Sequence, residues 1–257
     1  QNIMSKSNNW TREETIVAFN VYCKIPFKSS SKTNPTIIKY ANIIGRSPSA
    51  LNMKVGNFGR LDPELKKLGI VGLGNGSKLD EIIWNEFNGN WEDLVFESEK
   101  IIAKLKGENI EQIIEIENFP EGIDKLRLIK TRVNQAFFRS SVLSAYNLTC
   151  CITGINIPEL LIASHIIPWS ENRERTNPQN GLCLNNLHDK AYDKGLISID
   201  TNYTIKVSKY LLEYEKDKSE KYFSNFNCKK INLPEKFFPK KEYLESHYLK
   251  FCKNEYN

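Results

Sequence analysis

Apolar positions recur every three or four residues through the first hundred residues, and gather into short runs after residue 160. The pattern predicts a helical front followed by a small region with strands. Thr11 and Glu14 carry a capping-box signature ahead of Ile16, Val17, Phe19, Val21 and Tyr22, and Pro26 ends that helix. Asn34-Pro35 caps a second helix over 36–44, Gly45 stops it, and Ser47-Pro48 starts a third that runs to about Asn57. A Gly/Asn-rich turn over 72–77 precedes a helix over 79–87 and a longer amphipathic one over 90–106, capped at Asn90. Residues 107–124, with Pro120 and Gly122, read as an acidic linker, and their Ile-Glu alternation would also suit a short strand. From Thr131 a helix with one apolar stripe and a basic flank begins. Leu160 to Ala163 then predicts a strand that Pro168 cannot extend. Asn180 opens a second short strand, and a helix follows that ends near Gly195. Residues 196–199 and 203–207 flank a turn at Asp200 as a hairpin, and a terminal helix is expected over 240–251.

Helix, Gly-Arg turn and capped helix make a helix-turn-helix layout near the front. In its third helix Leu51, Val55 and Phe58 share one face and should be core. Ser49, Asn52 and Asn57 are then expected outside, with Arg46, Lys54 and Arg60 around them. Small polar side chains flanked by cations, with no acid among them, suit a DNA groove: polar groups near bases, cations on phosphates.

Net charge sharpens that reading. The total of +5 conceals +7 over residues 1–60, −8 over 61–125 and +6 over 126–257. Two basic blocks about an acidic middle suit two polyanion-facing surfaces. No apolar run reaches transmembrane length and no leader pattern opens the chain, so a soluble cytoplasmic protein without membrane contact is expected. The six cysteines show no regular spacing and read as reduced thiols.

Of only three histidines, two fall in one stretch: Ile162-Ala-Ser-His165-Ile-Ile-Pro-Trp169 and Asn180-Gly-Leu-Cys-Leu-Asn-Asn-Leu-His188-Asp-Lys-Ala-Tyr-Asp193-Lys-Gly195. A strand-borne histidine facing a helix-borne one is a layout for a general base and a metal ligand. On that reading both imidazoles should open on one cleft. The third, His247, reads as a surface or satisfied structural histidine. His165, Asn180 and His188, with the Pro-Trp, the Asn-Gly and the Asp-x-Gly ending, resemble the HNH motif on a ββα-metal fold, as in HNH endonucleases of bacterial restriction and phage defence. The likeness is strongest over 131–200.

The resemblance implies His165 as general base, Asn180 as a loop clamp on the strand bearing it, and His188 as ligand to a divalent ion, Mg²⁺ or Mn²⁺. Many such motifs place Asp before the first histidine, where this chain has Ser164. Asp189 or Asp193 could then join His188, but neither is well phased with it, so a weak site completed by DNA is expected. Lys190, Arg173 and Arg175 could hold flanking phosphates. Where related motifs carry a zinc knuckle, Thr153 replaces the second cysteine of Cys150-Cys151-Ile-Thr153, so no structural zinc is expected. The expectation is an α+β chain: a helix-turn-helix-like DNA-binding domain over 1–107, a linker over 108–130, and a ββα-metal nuclease domain over 131–257. It would cut double-stranded DNA, with a homodimer left open. A DNA-binding regulator with an inactive HNH fold, or a structure-selective or RNA-directed nuclease, are the rivals.

Overall fold

The computed structural model describes residues 9–70, 76–110, 125–171 and 175–255. The chain divides into two compact units, Gln1–Phe137 and Phe138–Asn257. Residues 111–124, most of the expected linker with its possible strand, lie outside the described residues, as do 71–75 of the Gly/Asn turn.

The first unit is helical: α1 (Arg12–Lys24), α2 (Pro35–Ile44), α3 (Pro48–Leu61), a short α4 (Pro63–Lys67), α5 (Lys78–Phe87) and α6 (Trp91–Lys106). Helix α7 (Lys125–Ala145) contains the division between the units. The capping box of Thr11 and Glu14 starts α1, whose residues from Glu14 to Cys23 are all buried among α2, α3, α5 and α6. A helix enclosed on every side must have partners for its polar groups. Asn20 donates to Ser98 Oγ at 2.8 Å, and the Tyr22 hydroxyl donates to Asp62 at 2.5 Å. Phe19 packs between Phe58 and Trp84, with ring centroids 4.7 and 5.2 Å away.

Gly45 ends α2 in the left-handed conformation, φ +66°. Helix α3 continues past Asn57 to Leu61. Gly59, within it, makes room for a neighbour: a Cβ there would stand 2.2 Å from Phe27 Cε2. Asn90 precedes α6 as expected, yet its side chain makes no capping bond.

The second unit adds short strands, so the chain is α+β as its pattern implies. Strands β1 (Leu161–His165) and β2 (Gly181–Asn185) pair antiparallel, with Leu161 opposite Asn185 and His165 opposite Gly181. Helix α8 (Asn186–Asp193) follows at once and packs on both strands. A second hairpin, β3 (Ile197–Ile199) with β4 (Ile205–Val207), leads to α9 (Lys209–Glu215), and α10 (Lys241–Glu255) packs against β3. Among the described residues no helix is long and apolar enough to cross a membrane.

Candidate active site

His165 is the last residue of β1, and its ring lies flat on Phe138 of α7, centroids 3.7 Å apart and planes 9° apart. Trp169 meets the imidazole edge-on at 5.5 Å. Nε2 stands 3.1 Å from the Arg175 carbonyl oxygen. A carbonyl only accepts, so Nε2 carries the proton of the neutral ring and Nδ1 keeps the lone pair. Burial pushes the imidazolium pKa below its ordinary value, while the Arg175 carbonyl and the charge of Asp193 pull it back up. The result is a histidine held in a defined tautomer and neutral over a wider pH range than a free one.

Asn180 fixes the chain just beyond that histidine. Its Oδ1 accepts from Ile167 N–H at 2.9 Å, its Nδ2 donates to Ile167 O at 3.0 Å, and its own carbonyl accepts from Ile166 N–H at 2.9 Å. The side chain is fully buried, where unmade amide bonds would be costly. Gly181 opposes His165 in the hairpin and serves packing: a Cβ there would lie 2.3 Å from Val142 Cγ2 and 3.0 Å from Phe138 Cζ. The missing side chain thus lets β2 close on the helix that floors the imidazole. Gly181→Ala is expected to cost about 1–3 kcal/mol through overpacking. A urea midpoint unchanged from the parent would refute that account of the glycine.

Helix α8 begins with Asn185 as its cap, accepting from His188 N–H at 3.0 Å. Asp189 and Asp193 are four residues apart and share a face of α8. Asp193 acts electrostatically on His165 and lines a cleft of about 240 Å³ with it, together with Glu171, Lys194 and Lys250. Burial raises the Asp189 carboxyl pKa, the Ser164 hydroxyl opposes that, and the negative charge of Asp193 adds to the rise. Ser164, which precedes the base, is buried, and its Oγ has no partner of full hydrogen-bonding geometry. Neither carboxylate is in an ion pair among the described residues.

His188 does not join this group. It points away from the cleft that holds His165 and lines a separate apolar groove of about 440 Å³ with Ile155, Leu160, Leu187 and Phe226. The residue is 3% exposed, with its ring against Phe223 and Phe226 at 5.2 and 5.6 Å. Nδ1 donates to Asn185 Oδ1 at 3.1 Å, and burial is the main cause of its lowered pKa. The expectation that both imidazoles open on one cleft is therefore corrected. The reason is helical phase: one residue rotates a side chain by about 100°, so His188 and Asp189 cannot share a face. The i, i+4 spacing of Asp189 and Asp193 is the signal that these two belong together.

The turn after α7 joins the strands through packing and hydrogen bonds. Cys151 N–H donates to the Cys183 carbonyl at 2.8 Å, and Asn185 Nδ2 donates to Thr153 Oγ1 at 3.1 Å. Cys150, Cys151 and Cys183 are buried free thiols, and burial pushes the Cys183 pKa up to about 12. Arg175 supplies its carbonyl to His165 and lays its guanidinium over Trp169 at 5.3 Å. Lys190 is exposed, and Arg173 lies outside the described residues. No group of three or more His, Cys, Asp or Glu able to hold a metal occurs among the described residues.

In the first unit five of the six expected DNA-facing residues are half-buried or buried and bonded within the unit, a second correction. Lys54 is 4% exposed and pairs with fully buried Asp80 at 2.6 Å. Asn57 donates to the same carboxylate at 3.1 Å, and Arg60 pairs with Glu81 at 3.2 Å. Arg46 pairs with Glu14 at 2.7 Å. Asn52, half-buried, accepts from Ser30 Oγ, while Ser49 alone of the six is exposed. The cause is α5, whose capping box on Ser77 delivers Asp80 against α3.

A family model for HNH endonucleases matches residues 150–200. No curated protein matches the chain. The matched stretch contains β1, β2 and α8 in the order strand, strand, helix, with His165 on β1, Asn180 immediately before β2 and the two carboxylates on α8. The match supports an HNH-type nuclease domain that includes residues 150–200.

Proposed function

We propose that the second unit is a metal-dependent endonuclease that hydrolyses duplex DNA, serving restriction or phage defence, with the first unit as its DNA-binding partner. The supporting observation is that His165, with Nδ1 as its basic nitrogen, lines one cleft with Asp193, which shares a face of α8 with Asp189, a carboxyl raised first by burial and further by the charge of Asp193. HNH nucleases generally use a divalent metal. Asp189 and Asp193 fit one. Their mutual repulsion is relieved by a cation, Ser164 Oγ is buried without a partner of full geometry, and two carboxylates suit an ion that keeps waters and takes phosphate oxygens. The bound ion would neutralise charge on the phosphate and the leaving oxygen.

In this reading His165 Nδ1 takes a proton from the attacking water as its oxygen bonds phosphorus and the P–O3′ bond breaks. Asn180 holds the segment after the base in place, and Phe138 keeps the ring plane. Plasmid nicking that requires Mg²⁺ or Mn²⁺ and stops with chelator is expected. No nicking of modified or unmodified DNA with either ion would favour the rival, a DNA-binding regulator on an inert fold.

Ligand assignment is checked separately. Asp189→Asn and Asp193→Asn should each weaken Mn²⁺ binding by about 10-fold or more, whereas His188→Gln should hold it within about 3-fold. Calorimetric titration reads this directly, and a larger loss in His188→Gln than in the aspartate variants would return the ligand role to the histidine. For the first unit, the +7 over residues 1–60 supports DNA contact through exposed Lys32 and Lys39 rather than through the paired cations of α3. Each replaced by glutamine should reduce the log–log salt slope of binding by about 0.9. An unaltered slope in the double variant removes that surface.

A further inference from the structure

We propose that His247 is a positioning residue for Asp193, an inference that rests on reading Asp189 and Asp193 as the ion-binding pair. His247 lies on α10, beyond the stretch that matches the nuclease family. Its ring is stacked on Tyr192, the residue before Asp193, with centroids 3.7 Å and planes 7° apart. Nε2 lies 3.2 Å from the Tyr192 carbonyl oxygen and Nδ1 lies 2.8 Å from Ser198 Oγ. Since the carbonyl accepts, Nε2 is the donor, and Nδ1 accepts the serine proton. The two bonds specify one tautomer and tie α8 to β3 through α10.

The place of that tie is what gives it a function. Carbonyls in the last turn of a helix lack intrahelical donors, and Tyr192 O is one of them. It accepts from Gly195 N–H at 2.9 Å and from His247, so the peptide joining Tyr192 to Asp193 is gripped from two sides. Rotation of that peptide would swing Asp193 away from Asp189. His247 and Asp193 also line the same cleft, so the brace and the carboxylate share one wall. Ordinary packing needs only the stacked ring; it does not need the donor at Nε2.

Mn²⁺ titration of the full chain by calorimetry, with thermal melts without metal, separates these roles. His247→Phe keeps a stacked ring and loses both hydrogen bonds; it should bind Mn²⁺ about 10-fold or more weakly. His247→Gln restores a donor toward Tyr192 O and should stay within about 3-fold of the parent. Parental affinity in His247→Phe, with binding lost in Asp193→Asn, overturns the positioning role and leaves the ion-binding pair standing. Parental affinity in both aspartate variants overturns the pair and this inference together. Should His247→Phe fail to fold, Ser198→Ala decides in its place: about 3-fold weaker binding is expected, and parental affinity overturns the proposal.

Discussion

His165→Ala should lower metal-dependent nicking by about two to four orders of magnitude while DNA affinity stays at the parental level. The split follows from geometry, since the imidazole is held by Phe138, Trp169 and the Arg175 carbonyl and, among the described residues, takes part in no ion pair that would carry binding. A pH dependence accompanies it. The base must be neutral, and burial lowers its pKa, so kcat/KM should fall on the acid side with a midpoint below the ordinary histidine value of about 6.5. That limb should vanish from whatever activity His165→Ala retains. A variant that nicks plasmid as fast as the parent would end the assignment of this histidine as the base.

Asp80→Ala is expected to destabilise the first unit by about 3–5 kcal/mol, because it strands the Lys54 ammonium in a site only 4% exposed. The same carboxylate accepts from Asn57 and closes the capping box of α5, so the helix start loosens as well. Lys54 also lies over the Trp10 ring at 4.7 Å, a contact too weak to replace a buried counter-ion. Adding Lys54→Met should recover most of the loss, since a buried pair exchanged for apolar volume is often neutral. Urea unfolding of the two variants decides it: a shift below about 1 kcal/mol in Asp80→Ala would mean that Lys54 finds water.

Legible along the chain is whatever neighbours in sequence decide. Thr11 with Glu14, Asn34-Pro35 and Ser47-Pro48 start helices because caps act over three residues, and all three do so here. The hairpin and helix around His165 and Asn180 are equally legible, since Pro168, the Asn-Gly pair and Gly195 mark the ends. Partners brought from afar are not. Lys54 looks like a free cation in the sequence because Asp80 lies 26 residues on, and the need for a glycine at position 59 is invisible because Phe27 comes from the loop after α1. The correction over His188 is of another kind. Measured from the histidine, Asp189 and Asp193 stand at spacings of one and five, whereas their own spacing of four is the one that matters. His247 is satisfied, as its place outside the motif suggests, yet its partners, Ser198 and the Tyr192 carbonyl, cannot be named without the fold.

Phe138 lies twelve positions upstream of the matched stretch, and His165 rests on it. A fragment trimmed to the signature alone would keep every motif letter and lose the platform under its base. Transplanting the proposed nuclease module into another protein therefore means carrying the end of α7 along with it.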